Sequence, residues 1–188
     1  MKIYYVTPEI PLDGEGELLS SMIEAGVERV HLRHPNRSFD EVRSIINSVP
    51  QDMRGRVMLH DYHRLALDYG CGIHLNRRNP VKLSNYHGKV SCSCHSLVEV
   101  SNSKVDYCFL SPFFDSISKS GYKAGEFDVS LLKELLYKKN IVALGGITPD
   151  KFESLRSLGF SSAALSGYLT GEGTSMEIIK RLQICFNS

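Results

Sequence analysis

The sequence predicts a single α/β domain over residues 1–188, folded as a compact (β/α)8 TIM barrel. Three observations point there. Short runs of β-branched, aromatic and aliphatic residues recur eight times, stretches with a helical apolar period separate them, and no linker or low-complexity tract breaks the alternation. Strand–helix alternation builds a parallel sheet, and eight units close one into a barrel. An open doubly wound sheet is the alternative. It needs fewer strands, and no Gly-x-Gly-x-x-Gly follows the first run to provide its dinucleotide turn.

The first strand is expected over 2–7 (KIYYVT) and the second over 28–33 (ERVHLR). Ser38 then opens a helix as N-cap with Glu41 three residues on, a capping box, and Phe39, Val42, Ile45, Ile46 and Val49 share one face. Strands three to six follow at 56–60 (RVMLH), 71–75 (CGIHL), 89–94 (KVSCSC) and 106–111 (DYCFLS). A helix starting at Asp128 groups Leu131, Leu132, Leu135 and Leu136 and ends in lysines, whose charge suits the negative end of the helix dipole. Strand seven, 140–145 (NIVALG), leads into a helix with Thr148 as cap, Pro149 at its first position and Gly159 as its stop. Strand eight, 161–166 (SSAALS), precedes a last helix with Thr174 and Glu177 as its capping box.

Composition narrows function by exclusion. The chain is 42% hydrophobic and 23% charged with a net charge of +1, without the basic excess that a nucleic-acid or acidic-membrane partner calls for. No apolar run approaches the ~20 residues of a membrane helix, and MKIYYVTPE is too short and polar for a secretory leader, so a cytoplasmic protein is expected. The cysteines, Cys71, Cys92, Cys94, Cys108 and Cys185, are odd in number and mostly in apolar stretches. Cys92 and Cys94 share a strand face but lack the two-residue gap of zinc pairs, so buried reduced thiols are expected.

In such a barrel the active site gathers at the C-terminal ends of the strands. Those ends carry Arg33 and His34, then His60 to His63, Asn76 to Asn79, Ser93 with His95, Gly145 to Thr148, and Ser166 to Tyr168. The rim is rich in donors, and Asp61 and Asp115 are its main acids. Bare N–H groups at Gly145 and Gly146, and again at Ser166 and Gly167, suit a phosphate, which these barrels commonly hold after strands seven and eight. Tight turning is the other use of those glycines. Residues 111–125, SPFFDSISKSGYKAG, spread Ser116, Ser118 and Ser120 around Lys119, all donors to phosphate oxygens, although an ordinary surface loop has the same composition.

The histidines divide by position. His31 and His74 alternate with apolar neighbours inside strands, as core or barrel-interior residues do. His60 and His63 flank Asp61 at a spacing metal ligands can have, with no further ligand cluster in the sequence to support it. His95 lies just past a strand end, placed either to move a proton near neutral pH or to serve as a structural histidine.

The segments HLRHPNRS, HDYHRLAL, GIHL, CSCHSLVEV, DYCFLSPFFDSISK, IVALGGITPDKF and AALSGYL resemble, in content and order, the thiamin phosphate synthase/TenI family over nearly the whole chain. The resemblance implies a small β/α barrel that binds a thiazole phosphate. DSISK is similar to the synthase's Thr-x-Thr-Lys loop, which implies Ser116 and Ser118 on the thiazole phosphate and Lys119 on a pyrophosphate. GGI and SG imply Gly145, Gly146, Ser166 and Gly167 as the phosphate-binding turns, and Ser93 and Arg33 match further binding positions.

The departures from the family pattern are as informative. The synthase's Gln-Leu-Arg-Glu-Lys reads HLRHP here, with His31 for the glutamine and Pro35 for the lysine. Its Asn-Asp pair becomes His60 and Asp61, and its second magnesium aspartate aligns with Asn79. TenI-type tautomerases lack the magnesium pair and use a histidine in the strand-five Ser-x-His segment, where His95 stands, although synthases often carry that histidine too. The resemblance therefore implies first a cofactor-free thiazole tautomerase with His95 as its catalytic residue. The alternative is a thiamin phosphate synthase joining hydroxymethylpyrimidine pyrophosphate to thiazole phosphate, with magnesium on Asp61 and Asn79. A third reading is a non-catalytic sensor of phosphate ligands. A homo-oligomer is compatible with all three.

Overall fold

A computed structural model describes residues 1–115, 125–170 and 174–188. Its strands are β1 (Lys2–Val6), β2 (Arg29–Leu32), β3 (Val57–Leu59), β4 (Gly72–Leu75), β5 (Val90–Cys94), β6 (Tyr107–Leu110), β7 (Ile141–Leu144) and β8 (Ser162–Leu165). They close in sequence order into a barrel. Every ladder is parallel, and the seam pairs Tyr4 of β1 with Ala164 of β8. Each strand falls inside its predicted span, so the open-sheet alternative is excluded.

The helices are α1 (Glu15–Glu24), α2 (Phe39–Ser48), α3 (Leu65–Tyr69), α4 (Leu97–Asn102), α5 (Val129–Lys138), α6 (Phe152–Leu158), α7 (Gly167–Thr170) and α8 (Ser175–Asn187). Among the described residues none is long and apolar enough to cross a membrane. The predicted capping boxes are present: Ser38 N–H donates to Glu41 Oε2 at 2.8 Å, and Thr174 N–H to Glu177 Oε2 at 2.6 Å. Asp128 caps α5 by accepting from Leu131 N at 2.8 Å. Gly159 ends α6 with φ 102°. Thr148 holds the N-cap position with Pro149 directly after it, as expected, but its side chain does not cap. Its hydroxyl is captured by the Asp150 carboxylate two residues on, so it caps no N–H, and a 3-10 turn over Pro149–Lys151 precedes α6. The apolar stripes are also wider than the surface they bury: Val42 and Ile46 are buried in α2, while Phe39 is 38% and Leu131 40% exposed.

Alternation along the strands sorts the core into two shells. One residue set, including Ile3, Val30, Leu59, Ile73, Cys108 and Leu165, faces out into the annulus beneath the helices. The opposite set fills the barrel with Tyr4, Val6, Met58, Tyr107, Phe109, Val142 and Ala164. His31, His74 and Ser91 share that inward parity and are fully buried. Cys92 and Cys94 lie on the outer face with sulfurs 3.7 Å apart, and all five cysteines are free. Burial pushes the Cys71 and Cys185 thiols up to about 12, which keeps them protonated and inert.

Candidate active site

The inward alternation that fills the barrel continues past the strand ends and builds a cavity there. Stepping two residues from Tyr4, His31, Met58 and His74 gives Val6, Arg33, His60 and Asn76. The same step from Ser91, Phe109, Val142 and Ala164 gives Ser93, Ser111, Leu144 and Ser166. All eight line one cavity of about 510 Å³, with His95 one further step along β5. Among the described residues three arginines, Arg33, Arg77 and Arg78, line it against one carboxylate, Glu9, so their charge favours an anion.

Gly145, Ser166 and Gly167 border this cavity, as the phosphate turns should. Gly146 is outside its lining. With φ 64°, Gly146 lies so close to the chain after β6 that a Cβ would stand 2.2 Å from the Asp115 carbonyl oxygen. Gly145, at φ 99°, would bring a Cβ to 3.0 Å from Pro112 Cα. Backbone bonds hold this approach: Phe113 N donates to Leu144 O at 2.9 Å and Phe114 N to Gly145 O at 3.0 Å. The glycine pair is thus required for packing the β6 and β7 exits together, and only Gly145 also faces the cavity.

His95 is exposed at the rim. Its Nδ1 bonds the Ser111 carbonyl oxygen at 2.8 Å. A carbonyl can only accept, so Nδ1 carries the proton and Nε2 keeps the lone pair in the neutral ring. The ring is therefore set in its orientation and tautomer as a base. Arg33 is set similarly, with its backbone N–H on Thr7 Oγ1 at 2.9 Å and its guanidinium on Glu9 at 2.9 Å. His34, its neighbour, has the opposite parity. It turns away from the cavity and pairs with Glu15 at 2.5 Å, both side chains fully buried.

Asp61 and Asn79 sit in a neighbouring cavity of about 600 Å³ that shares Arg78 with the first. The Asp61 carboxylate is clasped by the Arg78 guanidinium at 3.0, 3.1 and 3.2 Å. Asn79 turns its amide nitrogen to the His60 carbonyl at 3.0 Å and to Asp61 at 3.3 Å, so it offers a donor where a metal needs an oxygen. Magnesium requires oxygen ligands and usually one or two carboxylates. One carboxylate already neutralised by a guanidinium, beside an inverted amide, does not fit that ion.

His60 and His63 do not converge either, because His63 Nε2 turns to the His74 carbonyl at 3.2 Å. His60 instead meets His31, Nε2 to Nδ1, at 3.0 Å, and stacks on His74 with ring centroids 3.9 Å apart. Burial holds His31 and His60 well below the ordinary imidazole range and His74 at about 3, with neighbouring histidines adding to the effect. All three are neutral.

Ser116, Ser118 and Lys119 lie outside the described residues. Sequence reasoning overlooked Thr7 and Glu9, although TPE follows the first strand and belongs to the rim as the other strand ends do. It also overlooked Tyr107, whose inward parity with Phe109 was readable.

A family model described as thiamine monophosphate synthase matches residues 3–169. A curated thiamine-phosphate synthase of Nitrosospira multiformis is 31% identical over 125 residues, which are 61% of this chain and 53% of that protein. The match thus spans about half the length of that relative. Among solved structures, a thiamine phosphate pyrophosphorylase from Bacteroides thetaiotaomicron superposes with a TM-score of 0.82 at 29% identity, covering 100% of this chain and 96% of that one. One from Pyrococcus furiosus, at 19% identity and TM-score 0.76, covers 99% and 96% and shares the fold.

Proposed function

Because the chain belongs to the thiamine monophosphate synthase family, we propose that its cavity binds a thiazole phosphate and that it works as a magnesium-independent thiazole tautomerase. One observation supports this choice within the family: the Arg78 guanidinium occupies Asp61, where the synthase reading needs magnesium. The phosphate is held by the turns at Gly145 and at Ser166–Gly167, with the cavity arginines supplying charge-assisted donors. His95 takes a proton at Nε2 from the ring carbon and returns it at the exocyclic carbon, while its Nδ1–H stays on the Ser111 carbonyl. Aromatisation of the ring drives the reaction, so the protein's task is to orient the substrate and move one proton.

The second reading is the synthase itself, favoured by the names of the relatives at 31% and 29% identity. Two incubations separate the readings. Purified protein receives a thiazole carboxylate phosphate in EDTA, and in parallel hydroxymethylpyrimidine pyrophosphate, thiazole phosphate and magnesium. Isomerisation in EDTA supports the tautomerase. Thiamin phosphate formed at ~1 s⁻¹ or faster, and lost on chelation, replaces it with the synthase. Ligand binding by calorimetry without either product leaves a non-catalytic sensor.

A further inference from the structure

The interior of the barrel beneath the cavity carries a polar network that an apolar core would not need. Tyr107 Oη bonds His31 Nε2 at 2.8 Å, and His31 Nδ1 bonds His60 Nε2 at 3.0 Å. On the adjoining strands, Ser91 Oγ bonds His74 Nδ1 at 2.8 Å, and His74 Nε2 bonds Ser93 Oγ at 2.8 Å. Ser91 is the register partner of Tyr107 across β5 and β6 and shares its inward parity, which sets its hydroxyl beside the Tyr107 phenol. The two arms thus meet at their buried end. Their other ends, His60 and Ser93, both line the cavity.

A neutral imidazole donates from one nitrogen and accepts at the other. In the Tyr107–His31–His60 arm only two proton patterns therefore satisfy every bond. If Tyr107 donates, His31 donates from Nδ1 and His60 is left with N–H at Nδ1. If His60 donates from Nε2, His31 donates from Nε2 to the phenol and His60 keeps a lone pair at Nδ1. Each mixed pattern faces two N–H groups or two lone pairs at about 3 Å inside a low-dielectric core, where an unmade hydrogen bond is costly. The Ser91–His74–Ser93 arm is coupled in the same way.

We propose that these six residues form a buried proton relay with both ends open to the cavity, His60 taking the proton from His95, Ser93 giving one to the ligand, and His31, Tyr107, Ser91 and His74 acting through these two. The proposal rests on the proton-moving reading of the site. The transfer balances without an outside acid or base. The ring-carbon proton taken by His95 passes across the cavity to His60 Nδ1, so the relay returns the proton that His95 removes, and the His60 Nε2 proton passes to His31 Nδ1. The His31 Nε2 proton then passes to Tyr107, the phenol proton to Ser91, and the Ser91 proton to His74 Nδ1. The His74 Nε2 proton passes to Ser93, and the Ser93 proton leaves to the ligand. No residue gains or loses net charge, which suits groups that burial holds neutral. The three ring nitrogens also lie within 4.8 Å of one another, as metal ligands can. His60 and His74, however, stack at 14°, so their in-plane lone pairs run side by side and do not meet at a common ion.

His31→Gln and Tyr107→Phe test the relay, because an amide or a bare ring fills the space but cannot pass a proton. Each should lower kcat of the isomerisation at least ~10-fold with KM unchanged. The curved solvent-isotope proton inventory of the wild type should become linear. Nitrogen-15 NMR of the full chain supplies a readout that needs no turnover. Tyr107→Phe should change the tautomer ratio of His60, which it does not touch, by removing the partner of His31 Nε2. An unchanged His60 ratio overturns the relay, as does an unchanged kcat or one zinc ion retained per chain. If the wild type turns over no thiazole phosphate, the tautomerase reading fails, and the His60 ratio alone decides whether the buried ring is coupled.

Discussion

Gly146→Ala puts a single methyl group where the backbone of two strand exits meets. At φ 64° an L side chain carries the left-handed penalty, about 1–2 kcal/mol. The new Cβ would also stand 2.2 Å from Asp115 O and 2.8 Å from Phe114 Cβ, and relieving such overpacking costs about 1–3 kcal/mol more. The expected loss is then about 2–5 kcal/mol, a large part of the ~5–15 kcal/mol that holds a domain folded. At ~2–4 °C per kcal/mol for a chain of this size, Tm should fall by roughly 4–20 °C. Gly159→Ala is the matched control. It is also left-handed, at φ 102°, but its Cβ would meet only Leu136 Cδ1 at 3.7 Å, an ordinary contact. It should lose the strain alone, roughly 2–8 °C. Thermal unfolding followed by far-UV circular dichroism compares the two. If Gly146→Ala melts at or above Gly159→Ala, the close approach of the β7 turn to residues 114–115 is wrong. The same geometry makes substitutions at 146 poor probes of ligand binding, because they displace the packing before they reach the cavity.

His95→Ala should cut isomerisation by ~10²–10⁴-fold with a smaller effect on substrate affinity, and a variant with wild-type turnover would leave His95 a structural residue. Arg78→Met should weaken phosphate-ligand binding ~10–100-fold, the worth of a charged hydrogen bond, and should let Asp61 take up magnesium in a calorimetric titration where the wild type takes up none. Stability should depend on pH through His31, His60, His63 and His74, whose folded-state pKa values burial depresses, His74 to about 3. Their contribution is complete above the unfolded value of ~6.5 and is lost as pH falls below it, because only the unfolded chain then takes up protons, at about 1.4 kcal/mol per group per pH unit. Melting curves from pH 8 to 5 should therefore steepen downward below pH 6.5, and His60→Asn should remove roughly a quarter to a third of that slope. A slope that His60→Asn leaves unchanged would show that His60 is not held neutral in the folded protein.

The barrel was legible because eight period-two runs and their capping residues are local signals. Ser38 with Glu41 and Thr174 with Glu177 act within one helical turn, and both formed as written. Thr148 takes the N-cap position the sequence indicates, but its capping bond is lost for an equally local reason, since Asp150 competes for its hydroxyl. The rim residues could be listed from the strand ends, but their division between cavity and core required parity. Arg33 enters the cavity and its neighbour His34 is buried against Glu15. What remained hidden was long-range. No local pattern announces that Arg78 will reach across 17 positions to Asp61, or that Tyr107 will close on His31 from 76 positions away. Such pairings depend on barrel closure, which sets neighbours by register instead of by sequence distance.

The most direct test of the account follows one proton. In D2O containing EDTA, proton NMR of the thiazole carboxylate phosphate tautomer should show the wild-type protein converting it to the aromatic isomer, with deuterium entering at the exocyclic carbon to the extent that the proton held by the exposed His95 exchanges with solvent before its return. The His95→Ala protein should bind the same ligand and leave it unconverted. Failure of the wild type to isomerise it in EDTA, together with thiamin phosphate appearing only when magnesium and the pyrimidine pyrophosphate are added, would contradict the account and make the chain a synthase.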